Sequence, residues 1–210
     1  QEVLKERLDN LSLEEWADLS SLTSNNAPAQ INLGMNGTPV LDQGAHGSCV
    51  TFAMTGALDA IVGRGDYISQ LCSLELGAYL KQQGKSEYSG WNGSFGTVVL
   101  DQLQEYGIVT KSYQQQFGCA GVKRYPVSDA KNTGQPMSIS EYSSTSLPMG
   151  KIASWENIVD IEQAFTRNHN PTTYLREVKK HLREGKRIAF GIMLDVNQGQ
   201  AGAVGTYQKN

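Results

Sequence analysis

Cys49 is the residue in this sequence best placed to do chemistry. A polar, glycine-broken loop from Pro39 through Gln43, Gly44, His46, Gly47 and Ser48 delivers it to the start of a run, Val50 to Val62, that is apolar on nearly every side. Such a run predicts a buried helix. Cys49 then stands at a helix N-terminus, where unpaired N–H groups and the positive end of the dipole favour a thiolate, the nucleophilic form of cysteine. On position alone Cys49 reads equally well as a small core cysteine. Gln43 changes that balance. It lies six residues upstream, with Gly44 and Gly47 between, and the glycines let the loop fold tightly. A carboxamide N–H₂ can then point into the same space as the Cys49 backbone N–H. Two donors converging beside a nucleophile make an oxyanion hole.

A cysteine nucleophile of this kind needs a histidine to take its proton and return it to the leaving group. The chain has three. His46 shares the loop with Cys49 and is expected to point elsewhere. His169 lies between Asn168 and Asn170 in a predicted loop. His181 sits in a charged helical stretch with Glu177 four residues before it, the spacing of an ordinary surface pair.

The elements that must position these groups are mostly helical. Residues 1–27 read as two short amphipathic helices, the second opened by Ser12-Leu-Glu-Glu15, and then a Ser/Asn-rich linker. They cannot make a core alone and must dock on something. Ser69 to Gln83 has helical spacing and stops at Gly84; a third helix with Val98, Val99, Leu103 and Tyr106 stops at Gly107. Between them lies the glycine-rich turn Gly90-Trp91-Asn92-Gly93-Ser94-Phe95-Gly96. Gly107 to Tyr113 is strand-like, Lys123 to Gly134 loop-like, and Ser138 to Tyr142 alternates like a strand. Asn157 to Asn168 is helical, and Asn170-Pro171 starts a helix that runs to Gly185. Ile188, Phe190, Ile192 and Leu194 alternate and predict the clearest strand.

Composition bounds the rest. The chain has 210 residues, 39% hydrophobic and 19% charged, with formal net charge −3. That size fits one domain or two small lobes. The charge offers nothing to nucleic acid or an anionic membrane, and no apolar run approaches the ~18 residues of a membrane span. The chain begins with Gln1 rather than Met, so a segment upstream is expected. If Cys49 is a free nucleophile, Cys72 and Cys119 are left to form one disulfide, as suits a secreted or lysosome-like compartment, bacterial secretion included. Three free thiols in a reducing cytosol is the other reading.

Gln43, Gly44, Gly47, Ser48 and Cys49 together resemble the Gln-Gly-x-Cys-Gly-Ser-Cys-Trp motif of the papain-like cysteine peptidases, whose last Cys is the nucleophile. His46 replaces a family cysteine normally held in a disulfide, and Val50 replaces the Trp. Pro28-Ala-Gln-Ile31-Asn32-Leu33 resembles the start of the mature family enzyme, which makes residues 1–27 the candidate end of a pro-segment; an ordinary N-terminal hairpin is the alternative. Asn92-Gly93-Ser94 resembles the family's Asn-Gly-Gly turn, whose backbone binds extended substrate, with Ser94 in place of the second Gly. Phe95 falls where the family lines a substrate side-chain pocket.

The resemblance implies an α+β, two-lobed papain-like fold. Residues 28–135 would form the mainly helical lobe with the nucleophile helix, and 136–210 part of the β-rich lobe. It implies a cysteine endopeptidase with Cys49 and Gln43 catalytic and with Gly93, Ser94, Phe95 and Gly47 at the substrate. No metal or cofactor is called for. His181 falls in the sequence window of the family histidine, but it precedes the predicted strand that the family histidine follows. Gly205-Thr-Tyr207 resembles the family's Gly-Ile-Tyr, and the His-Ala-Val-like and Asn-Ser-Trp-like runs that come after it in the family are absent. The expectation is a zymogen or nicked two-chain form, with a second chain carrying the His and Asn, acting on peptide or protein substrates. The alternatives are a non-catalytic papain-fold binding protein, or an acyltransferase using the same Cys.

Overall fold

The computed structural model describes residues 28, 30–128, 131–156, 171–191, 196–199 and 202–205. The candidate pro-segment, the helix expected over 157–168, His169 and residues 192–194 of the expected strand lie outside the described residues. In chain order the elements are α1 (Cys49–Val62), α2 (Gln70–Gln82), α3 (Gly96–Tyr106), α4 (Lys111–Phe117), α5 (Ile139–Ser143), a 3-10 turn (Met149–Lys151), α6 (Pro171–Arg183), β1 (Val196–Gly199) and β2 (Gly202–Gly205).

The core is built around α2. Ser69 caps it, its hydroxyl accepting from the Cys72 N–H at 2.9 Å. Leu71, Leu74, Leu76 and Leu80 then bury against Trp91, Val109, Met137 and Tyr142. A second cluster, Leu58, Ile68, Val99, Leu103, Ile108 and Met149, joins α1 to α3 and the 3-10 turn. Cys72 and Cys119 are joined in a buried disulfide, Cα–Cα 5.0 Å, which ties α2 to the turn after α4. Asp59 of α1 reaches across to α2's approach: its Oδ1 accepts from the Ile68 N–H at 2.9 Å, and burial pushes its carboxyl up to about 7.

The expected two-lobed architecture with a β-rich lobe over 136–210 is not what the chain adopts. Among the described residues helices dominate, and regular strand is confined to β1 and β2, paired antiparallel with each other, Val196 opposite Gly205 and Gly199 opposite Gly202. A two-stranded hairpin is too small to be a lobe with its own core. Local chemistry explains two of the differences, and a missing neighbour the third. Ser138 and Glu141 form a helix start, the Ser138 hydroxyl accepting from the Glu141 N–H at 3.2 Å, so the stretch that alternates like a strand is α5. Thr110 likewise caps α4 through the Tyr113 N–H at 3.2 Å, ending the strand-like run from Gly107 after two isolated bridges, Ile108 to Leu147 and Thr110 to Ile68. Lys186–Gly191 has no regular structure, and Phe190 is 72% exposed. Alternation marks a strand only where a neighbour supplies the ladder.

The helix α1 also differs from expectation. Only Thr51, Thr55, Leu58, Asp59 and Ala60 are buried along it; Ala53 and Ile61 are exposed, Ile61 by 47%. One apolar face of α1 is uncovered.

Two consequences are measurable. Removing the disulfide by Cys72→Ala with Cys119→Ala frees a loop with a sequence separation of 47 residues. Urea unfolding is expected to report a loss of about 2–4 kcal/mol. Glu75 on α2 is fully buried with no hydrogen-bond partner on either carboxylate oxygen, and burial pushes its carboxyl up to about 9 from 4.5. The folded value exceeds the unfolded one. The contribution is therefore fully present below 4.5 and declines as pH rises toward 9, because the unfolded chain ionises while the folded chain stays protonated. Glu75→Gln, which keeps the shape and removes the titration, is expected to raise Tm by little near pH 4.5 and by progressively more up to pH 9. A Tm difference that stayed flat across that range would contradict the assignment.

Candidate active site

The loop that carries Gln43 to Ser48 hangs from the segment Tyr125–Val127. The Ala45 N–H donates to the Val127 carbonyl at 3.0 Å, and His46 Nε2 lies 2.7 Å from the Pro126 carbonyl. A carbonyl only accepts, so Nε2 carries the proton. The Tyr125 hydroxyl donates to the Gln43 carbonyl at 2.9 Å. Having spent its one proton there, it accepts from Ser48 Oγ at 2.8 Å. Tyr125 also stacks on Trp91, with centroids 5.6 Å apart, and meets the edges of Phe52 and His46.

Two glycines make these approaches feasible. Gly44 has φ +60, and a Cβ there would stand 1.8 Å from the Val127 carbonyl oxygen. At Gly47 a Cβ would meet the Asn92 and Gly93 backbone at 3.2 Å. The bare backbone lets the Gly47 carbonyl accept from the Gly93 N–H at 2.8 Å, which joins the nucleophile loop to the Asn92–Gly93 turn.

Cys49 is a free, exposed thiol at the first position of α1. Ser48 occupies the N-cap position, yet its side chain makes no cap bond, because its hydroxyl is turned to Tyr125. The first-turn N–H groups of α1 are left without a side-chain cap. Gln43 Nε2 donates to the His46 carbonyl at 2.8 Å. That bond fixes the carboxamide and uses one of its two N–H groups; the second is not engaged in it. Gln43 and Cys49 line one cavity of about 730 Å³, whose floor is the open face of α1, Phe52, Ala53, Gly56 and Ala57, and whose far wall is Leu182 with Arg187–Phe190.

The structure brings some expected residues together and not others. Gln43, Gly47 and Cys49 belong to one loop and helix start, with Gly93 bonded to Gly47. The Gly93 N–H is consumed by that bond, so only its carbonyl is left to meet a substrate backbone. Ser94 Oγ makes a long 3.4 Å bond to the Phe95 carbonyl. Phe95 is 43% exposed beside Tyr88 and does not line the cavity that Cys49 lines.

Among the described residues no histidine lines that cavity. His46 is buried and committed to Pro126. His181 is 8% exposed rather than on the surface, enclosed by Glu156 and Glu184 at 3.4 Å, Glu177 at 3.9 Å and Lys186 at 3.1 Å. Sequence reasoning missed Tyr125, Pro126 and Trp91. Their one local signal is an aromatic-proline pair inside a polar stretch that otherwise reads as loop.

Among the described residues no group of three His, Cys, Asp or Glu side chains is arranged to hold a metal ion, and no helix is long and apolar enough to cross a membrane. No family model matches the chain, and comparison with curated proteins finds no significant match.

Gly44 and Gly56 offer a matched pair for stability. Gly44→Ala is expected to cost more than about 1 kcal/mol, since Ala is strained at positive φ and meets Val127. Gly56→Ala faces open space within α1 and is expected to add about 0.5–1 kcal/mol from helix propensity. Chemical denaturation of the two variants checks both signs.

Proposed function

We propose that this chain supplies the nucleophile and the oxyanion donors of a cysteine endopeptidase site acting through a thioester. The observation that carries the reading is that Cys49 and the Gln43 carboxamide line one cavity at the uncapped start of α1. The Cys49 thiolate attacks the substrate carbonyl carbon, forming the S–C bond as the C=O π pair moves onto oxygen. The second Gln43 N–H and the Cys49 backbone N–H face that developing charge. Collapse returns the pair to carbon and breaks the C–N bond; the amine leaves with a proton, and water then hydrolyses the thioester.

The proton must come from a histidine, oriented by an Asn or Asp, that the described residues do not place at Cys49. It belongs to a second polypeptide or to residues outside those described. The likeness to papain-like peptidases rests on the Gln43–Cys49 motif and the Asn92–Ser94 turn. An oxidising compartment suits the Cys72–Cys119 disulfide. A binding role without catalysis is the second reading, favoured by the absence of a histidine among the described residues that line the cavity. Acyl transfer to an acceptor other than water would use the same first half-reaction.

A peptidyl p-nitrophenyl ester separates these readings. Its leaving group departs as the phenolate and needs no proton, so thioester formation can be followed without the histidine. Mass spectrometry is expected to find the acyl adduct on Cys49, and Cys49→Ala to abolish it. Gln43→Ala is expected to slow acylation by ~10²–10³-fold, the usual effect of losing one oxyanion donor. Its iodoacetamide alkylation rate should stay nearly unchanged, since that displacement develops no oxyanion. Absence of acylation in the unmutated chain would favour the binding role.

A further inference from the structure

We infer that Tyr125 is a positioning residue for the oxyanion site, acting by holding the Ser48 hydroxyl away from the helix start that the site uses. The inference rests on the reading of Cys49 and Gln43 as nucleophile and donor.

Serine is among the residues that most favour the N-cap, where its oxygen accepts from the second or third helical N–H. Ser69, Thr110 and Ser138 all do this in the same chain. Ser48 holds the equivalent position before α1 and does not. Two things set Ser48 apart: its backbone, at φ −97 and ψ 14, lies outside the extended region that the three capping residues adopt, and its hydroxyl is engaged by Tyr125. The Tyr125 oxygen accepts the Ser48 proton at 2.8 Å, which aims the serine hydroxyl away from Val50 and Thr51. The same oxygen donates to the Gln43 carbonyl at 2.9 Å, so one phenol sets both the loop residue that carries the donor and the residue that precedes the nucleophile. Burial pushes the Tyr125 phenol up, so it stays protonated and able to donate. Its ring is held independently by Trp91, Phe52 and His46, so removing the hydroxyl leaves the ring supported.

Without that hydroxyl, Ser48 is free to turn into the extended conformation of the chain's other capping residues and cap its own helix. Its lone pair would then sit on the positive end of α1, in competition with a developing oxyanion for the same N–H groups. The Gln43 backbone would lose its anchor as well.

The test uses the full chain and the ratio of two Cys49 rates: acylation by the peptidyl p-nitrophenyl ester, which passes through an oxyanion, and alkylation by iodoacetamide, which does not. Tyr125→Phe is expected to lower the ratio about tenfold, the size of a net hydrogen bond or so of positioning, with alkylation unchanged. Adding Ser48→Ala to Tyr125→Phe should recover most of the loss, because the competing hydroxyl is gone. Ser48→Ala alone should leave the ratio within about twofold, since a missing hydroxyl and one turned away leave the helix start equally open. An unchanged ratio in Tyr125→Phe overturns the inference, and so does a double variant as slow as the single one, which would make Tyr125 a packing residue only. Should Tyr125→Phe not fold, Ser48→Ala alone decides: an unchanged ratio supports the inference, and a tenfold loss overturns it. A starting chain whose ratio is no higher than that of a cysteine-containing peptide refutes the proposed function itself, which is a separate outcome.

Discussion

The approach of Gly44 to the Val127 carbonyl is the constraint on which the rest of the site depends. At φ +60, with the carbonyl oxygen 1.8 Å from where a Cβ would be, no other residue fits without moving one of the two backbones. Because they meet, the Ala45 N–H reaches Val127, His46 reaches Pro126, and the Gln43 carbonyl reaches the Tyr125 hydroxyl. These bonds join residues about 80 positions apart in sequence. Their cost in chain entropy is met elsewhere, by the α2 core and by the disulfide that closes the turn leading into Tyr125. The site is thus suspended from the most deeply buried part of the molecule rather than from the helix that carries Cys49.

That arrangement gives α1 two unequal faces. Toward α2 and α3 it presents Thr55, Leu58 and Asp59. The Thr55 hydroxyl donates to the Thr51 carbonyl and accepts from Gln70 Nε2 at 3.2 Å, while Gln70 Oε1 accepts from Lys111. Lys111 in turn pairs with Asp66 at 3.3 Å. Polar groups in that seam are satisfied through one another, and Asp59 retains one oxygen without a partner. Away from it α1 presents Phe52, Ala53, Gly56 and Ala57 to an open cavity. The cavity walls are exposed apolar side chains, Val40 and Phe190 among them. A face of this kind is not what an all-round apolar sequence predicts, because the pattern records what a helix can bury and not what is present to bury it.

Legibility in the sequence follows the range of the cause. The bounds of α2 and α3 can be read from a cap or a glycine within a few residues of each end, and α6 from its proline start. The closeness of Gln43 to Cys49 is local too, and the glycines at 44 and 47 give it away. Ser138-x-x-Glu141 is equally local, and this cap outweighs an alternation counted over the five residues from Ser138 to Tyr142. Lys186 to Gly191 failed for the opposite reason. Its period is right for a strand, and the missing term is a partner that no local pattern contains. Tyr125 was illegible because its role is set wholly by contacts with residues 43, 46, 48, 52 and 91.

Hydrogen-bond accounting at the loop leads to a narrower statement about the chemistry. Five polar groups of the loop are already committed: the Gln43 carbonyl to Tyr125, the His46 ring to Pro126, the His46 carbonyl to Gln43, the Gly47 carbonyl to Gly93 and the Ser48 hydroxyl to Tyr125. Committed groups do not reorganise when charge develops nearby, which is what makes fixed donors effective. Among what the loop leaves over are a second carboxamide N–H on Gln43 and the first-turn N–H groups of α1, all donors. Donors fixed in this way favour an anion over a neutral carbonyl. The commitment of His46 follows from the same accounting. With its Nε2 proton given to Pro126 and its ring wedged against Trp91 at 4.7 Å, it serves the loop's shape and is withheld from the thiol.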